Sequence, residues 1–207
     1  MANEYCTDVQ LCAALGINAD AIGATKRGLA ISAASRQVDG FCGRFFYQDS
    51  AVADRQYFAD NALDCFVDDI STTSGLIVKT DQDSDGIFET TLTLTTNYIL
   101  LPTNAADMYP VSPYTQIRVV DAGVSTLPVW NNGRPGVQIT AKFGWPLVPD
   151  AVTQATVIQA VQLFKSADAA FGGLSFGDAG FMRVRGTMNP LAAAILEDGN
   201  FVKPRVA

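Results

Sequence analysis

The sequence predicts an α+β fold: a small helical bundle with a β-rich insertion between its second and third main helices. Three observations predict it. Apolar residues recur at three- and four-residue spacing up to Phe45 and again after Pro149; after about residue 52 the period changes towards two; and turn residues divide that middle stretch into short apolar segments. The expected boundaries are 1–51 and 146–207 for the helical domain with its C-terminal tail, and 52–145 for the inserted domain. A chain of 207 residues suits one domain carrying an insertion. At this size it buries about 70% of its unfolded surface and needs no disulfide or metal staple.

Thr7-Asp8-Val9-Gln10 has the form of a capping box and opens a short helix that ends near Gly16. Asn18 is the expected cap of a second, longer helix, with Asp20 in its first turn where the dipole favours negative charge. Ile31, Ala34, Val38, Phe41, Cys42 and Phe45 then share one face. Strands are expected at 56–58, 63–67, 76–79, 88–94, 117–120 and 137–143, with loops at 102–113 and 131–136. Val137, Ile139, Ala141 and Phe143 alternate with polar residues, the mark of a strand with one buried face. Pro149 and Asp150 suit a helix start, and Val157, Ala160, Val161, Phe164, Ala167 and Phe171 form its apolar stripe. A glycine-rich loop is expected at 172–180. Asn189-Pro190 starts a last short helix closed by Gly199, and a tail runs from Asn200 to Ala207.

Composition narrows the function. The chain has no histidine, which removes Ser-His-Asp and Cys-His units, imidazole metal ligands and the commonest general base. The expectation is a protein that is not an enzyme. Cys6, Cys12, Cys42 and Cys65 lack Cys-x-x-Cys spacing and read as buried, reduced thiols. Charged residues make up 17% of the chain, below the usual ~25%, which leaves surface free for protein contacts. No run of about 18 apolar residues suggests a membrane span, and the N-terminus lacks a secretory pattern, so folding in cytoplasm is expected. Residues 54–121 hold eleven Asp/Glu against Arg55, Lys79 and Arg118, a net −8 within a total of −7. Such a segment repels nucleic acid, and sequence-specific DNA binding is not expected.

One cluster has chemical character. Asp81-x-Asp83-x-Asp85-Gly86-x-x-Glu89 places four carboxylates in nine residues, and hard oxygens at alternating positions followed by a glycine turn suit Ca²⁺. It is not an EF-hand loop, because position twelve is Leu92 and the flanks read as strands. The bland reading is a polar hairpin turn in which Asp and Gly supply the turn conformations. No cofactor is required, and a bound calcium would be structural. Arg183, Arg185, Lys203 and Arg205 form a local basic group, read either as solvated charge or as a contact to an acidic partner surface.

The segment Gly144-Trp145-Pro146-x-x-Pro149-x-Ala151-Val152-x-Gln154-Ala155, continuing to Ala160-x-x-Leu163-Phe164-Lys165, resembles the head–tail connector (adaptor) proteins of long-tailed bacteriophages. The resemblance extends to Arg183-Val184-Arg185, to Asn189-Pro190-Leu191, and to the long second helix ending in Phe41, Phe45, Phe46 and Tyr47. It implies a structural virion protein of the neck, assembled in the host cytoplasm as a dodecameric ring beneath the portal. Such a ring extends the DNA channel, lets DNA pass without sequence-specific binding and gives the tail a platform. The implied partners are further copies of the chain, the portal protein and a downstream neck or tail-completion protein. Phe201 and Val202, read as exposed anchors, together with Arg183, Arg185, Lys203 and Arg205 are the expected partner-binding residues. The long β insertion departs from shorter members, in which the helical bundle is nearly the whole protein. A second reading, from another class, is a calcium-stabilised β-rich module that recognises a ligand such as a glycan.

Overall fold

The computed structural model describes residues 3–19, 23–120, 126–129, 131–168, 173–175, 181–183 and 187–203. The fold is α+β. Helices α1 (Asp8–Leu15) and α2 (Ala24–Cys42) are followed by β1 (Ala53–Tyr57), β2 (Asp64–Ile70), β3 (Ile77–Thr80), β4 (Thr90–Leu92), β5 (Tyr98–Leu101), β6 (Tyr114–Val119) and β7 (Val137–Ala141). Then come α3 (Asp150–Asp168), the short strands β8 (Gly173–Ser175) and β9 (Phe181–Arg183), and α4 (Pro190–Asp198). The chain divides into two units, Met1–Phe46 with Val148–Ala207, and Tyr47–Leu147. No helix among the described residues is long and apolar enough to cross a membrane.

In the helical unit the capping box forms as the sequence predicts. The Gln10 N–H donates to Thr7 Oγ1 at 3.2 Å and the Thr7 N–H donates to Gln10 Oε1 at 2.8 Å. Helix α2 differs from expectation: it starts at Ala24 with Gly23, not Asn18, at its N-cap. It also ends at Cys42, so Phe45 leaves the apolar stripe and is half exposed while Phe46 is fully buried. Arg27 lies buried on α2, with its guanidinium forked onto the Asp8 carboxylate at 2.6 and 3.1 Å. That carboxylate sits in the first turn of α1. Helix α3 packs on α1, α2 and α4, and Cys6, Leu11, Ile31, Ala34 and Ala160 form a buried apolar cluster.

A buried amide relay crosses this bundle. Gln159, fully buried on α3, donates from Nε2 to Gln37 Oε1 at 2.6 Å and accepts from the Asn189 N–H at 2.8 Å. Asn189 Nδ2 in turn reaches Gln162 Oε1 at 2.7 Å. Asn189 is also the α4 cap, accepting from the Leu191 N–H at 2.9 Å. Each polar group so placed is satisfied by another, which removes the penalty of burying it.

The β unit contains two antiparallel sheets, β1-β7-β3-β4 and β2-β6-β5. Alternation puts Val137, Ile139 and Ala141 of β7 into one core with Val78 of β3, Cys65 and Ile70 of β2, Leu100 of β5 and Ile117 of β6. Phe143 closes that core, and the Arg55 guanidinium lies 3.9 Å above its ring. Gly144 follows at φ 98°. A Cβ there would stand 1.8 Å from the Tyr47 carbonyl oxygen, so only glycine fits. The four cysteines are free and buried; burial pushes the Cys42 and Cys65 thiols up to about 12 and Cys6 to about 11, which keeps them protonated and inert.

Candidate functional site

The acidic motif forms the loop of the β3–β4 hairpin, closed by the pair Thr80 and Thr90. Asp81 follows β3 directly, and its N–H donates to the Gly136 carbonyl at 3.0 Å, which tucks its side chain out of solvent. Three donors meet that buried carboxylate. The Ser84 N–H reaches Oδ1 at 2.8 Å, the Gly86 N–H reaches Oδ2 at 2.9 Å, and Asn131 Nδ2 reaches Oδ2 at 3.0 Å. Burial opposes its charge, but the Asn131 amide and the two N–H groups prevail and hold it below the usual carboxylate range. The loop turns at Ser84 and Gly86, with φ values of 68° and 96°.

Asp83, Asp85 and Glu89 are exposed, yet each offers an oxygen close to Asp81: the four carboxylate oxygens lie within 4.8 Å of one another. The Asp85 N–H donates to Asp83 Oδ1 at 3.3 Å and lowers that carboxyl, but desolvation and the Asp85, Glu89 and Asp81 charges together raise it. No Lys or Arg among the described residues pairs with these carboxylates. Arg134 Nη1 donates instead to the Asp85 carbonyl at 3.1 Å. The sequence-predicted ligands are therefore brought together. Asn131, fifty positions from Asp81, is the member that sequence reading missed; an Asn before Asn-Gly reads only as a turn.

The other predicted residues are not gathered into one place. Arg183 ends β9; Arg185 and Arg205 lie outside the described residues. Val202 and Lys203 are half-buried. The expectation that Phe201 stands exposed is corrected: it is 3% exposed and lies edge-on to Phe46 with centroids 5.7 Å apart. Its N–H donates to the Leu196 carbonyl, and the Lys203 N–H donates to the Cys42 carbonyl. Phe201 can dock because Gly199 leaves room for its ring, which a Cβ would meet at 2.2 Å. Tyr5 completes the aromatic group, edge-on to Phe46 at 5.8 Å with its hydroxyl donating to Asp39.

No family model matches the chain, and no curated protein is similar to it at a significant level. Solved structures do match. A chain in the neck of an empty GTA particle, computed with C6 symmetry, is 18% identical, with a TM-score of 0.53 over 96% of this chain and 90% of that one. A chain in the virion of a native gene transfer agent (GTA) particle is 17% identical, with a TM-score of 0.49 over 93% of this chain and 85% of that one. A third, in the neck of a native GTA particle computed with C12 symmetry, is 20% identical, with a TM-score of 0.46 over 100% and 97%. At 18% identity and a TM-score of 0.53 the first of these likenesses is one of fold.

Proposed function

We propose that this chain is a structural, non-catalytic protein of the neck of a phage-like particle, at the interface between head and tail. The observation that carries the reading is the fold likeness to the neck chain of an empty GTA particle, which takes in both the helical and the β parts at 96% of this chain. The connector resemblance of the Gly144–Lys165 segment points the same way. In its finer form the protein is a ring of about twelve copies on the portal's symmetry, extending the DNA channel and presenting a platform for the tail.

Charge supports passage of DNA without sequence-specific binding. Tyr47–Leu147 carries twelve Asp/Glu against Arg55, Lys79, Arg118, Arg134 and Lys142, so the whole net charge of −7 resides in the β unit and the helical unit is neutral. A surface of that sign repels the phosphate backbone. Exposed Leu29, Phe58, Phe66 and Leu147, each at least 60% accessible, are the kind of surface that subunit contacts cover. Arg183, Arg185, Val202, Lys203 and Arg205 are the proposed contacts to an acidic partner such as the portal or an adjacent copy.

Quantitative mass spectrometry of purified particles tests the reading. The expected result is a copy number of about twelve, in register with the portal. Absence from particles, or hundreds of copies as for a capsid subunit, refutes it.

A further inference from the structure

We propose that the β3–β4 loop is a Ca²⁺ site in which Asp81, Asp83, Asp85 and Glu89 supply carboxylate oxygens and buried Asn131 a further oxygen toward an ion-bound water. Oxygens that share a calcium ion lie about 2.3–2.6 Å from it, so opposite ligands stand about 5 Å apart. The four carboxylate oxygens, all within 4.8 Å of one another, lie within the span of such a sphere. Four negative charges at this spacing repel one another, and no Lys or Arg among the described residues pairs with them.

Asn131 is the independent observation. Its side chain is 97% removed from solvent, since 3% remains exposed. Its amide nitrogen is fixed on Asp81 Oδ2 and the Pro135 carbonyl. Its Oδ1 is buried and accepts no hydrogen bond. A desolvated amide oxygen with no donor is costly, and an ion or bound water beside it would meet that cost. The same amide donates to the one buried carboxylate of the cluster, which sets its unmet oxygen beside the cluster, within reach of a water on the cation. An irregular loop with mixed exposure suits calcium, which tolerates six to eight oxygens in flexible geometry, better than magnesium, which demands a near-ideal octahedron. The ion would tie the β3–β4 hairpin to the 131–136 loop. The site does not depend on the neck assignment, and either can fail without the other.

The test is calcium titration of the chelator-treated full chain, by calorimetry and by thermal melting, with magnesium in parallel. The expected result is one Ca²⁺ per chain and a melting temperature that rises with free calcium. Asp83→Ala, at an exposed position, should keep the fold and lose the response; Asn131→Ala should weaken calcium binding about tenfold. Asp107→Ala, an exposed acid outside the loop, should change nothing. No heat and no melting shift at millimolar calcium, or an undiminished response in both Asp83→Ala and Asn131→Ala, overturns the site. An equal response to magnesium overturns the calcium assignment.

Discussion

Replacing Phe201 with alanine is expected to cost the helical unit about 3 kcal/mol. The ring is 3% exposed, meets Phe46 at an interplanar angle of 83°, and occupies the space beside Gly199. Buried Phe→Ala changes cost about 3–5 kcal/mol through lost transfer energy and residual cavity, of which an edge-on aromatic pair supplies about 0.5–1.5 kcal/mol. The lower end applies where the surrounding side chains relax part of the way into the gap. For a unit of roughly a hundred residues each kcal/mol moves Tm by about 4 °C, giving a fall of about 12 °C. Thermal melting and urea titration, both followed by circular dichroism, measure it; the urea midpoint should fall while the slope stays unchanged. Deleting residues 200–207 should cost at least as much, since it also removes the backbone bonds to Leu196 and Cys42. If both variants melt within about 2 °C of the parent, Phe201 does not hold the bundle and the expectation of an exposed anchor is restored.

Gly144→Ala should unfold the β unit, because neither the left-handed backbone nor the Tyr47 carbonyl can yield to a Cβ; a cooperative melt at the parent's temperature would refute this. The Asp8 carboxyl is held below its usual range by the Arg27 hydrogen bonds. Its contribution is therefore present above the unfolded value of about 4 and is lost as pH falls through the lower folded value. The Tm difference between parent and Asp8→Asn should accordingly be largest near neutrality and close below about pH 4. A gap that does not vary with pH would mean that the pair contributes no charge-dependent stability.

Local chemistry made much of this fold legible. The Thr7–Gln10 box, the Asn189-Pro190 start of α4 and the alternation of β7 each depend on neighbouring residues, and each forms as the pattern requires. Strand β5 was missed because Tyr98-Ile99-Leu100-Leu101 is an unbroken apolar run without alternation, and its pairing with β6 is a long-range fact. The expected strand 88–94 shrinks to Thr90–Leu92 because the acidic loop consumes its first residues. Asn18 is a better cap by propensity than Gly23, yet the helix begins at Ala24 and pairs Arg27 with Asp8, a tertiary demand no local rule contains. The gathering of Asp81, Asp83, Asp85 and Glu89 was readable from spacing alone. Asn131 and the burial of Phe201 were not, since both arise from contacts between segments distant in sequence.

The ends of the β unit are zipped together by their own backbone. Asp49 N–H donates to the Phe143 carbonyl at 2.9 Å, Trp145 N–H donates to Tyr47 at 3.2 Å, and Gln48 bridges Gly144. Entry and exit of a hundred-residue excursion thus lie side by side, as in a β-ladder, and the helical chain is interrupted at what is effectively a single point. An insertion with such ends behaves as a cassette: a recombination event could add, delete or exchange it with little change to the path of the helices on either side. Related chains could therefore vary the inserted sheets while conserving the helices that carry them, and sequence drift should be faster within the cassette than at its zipped ends.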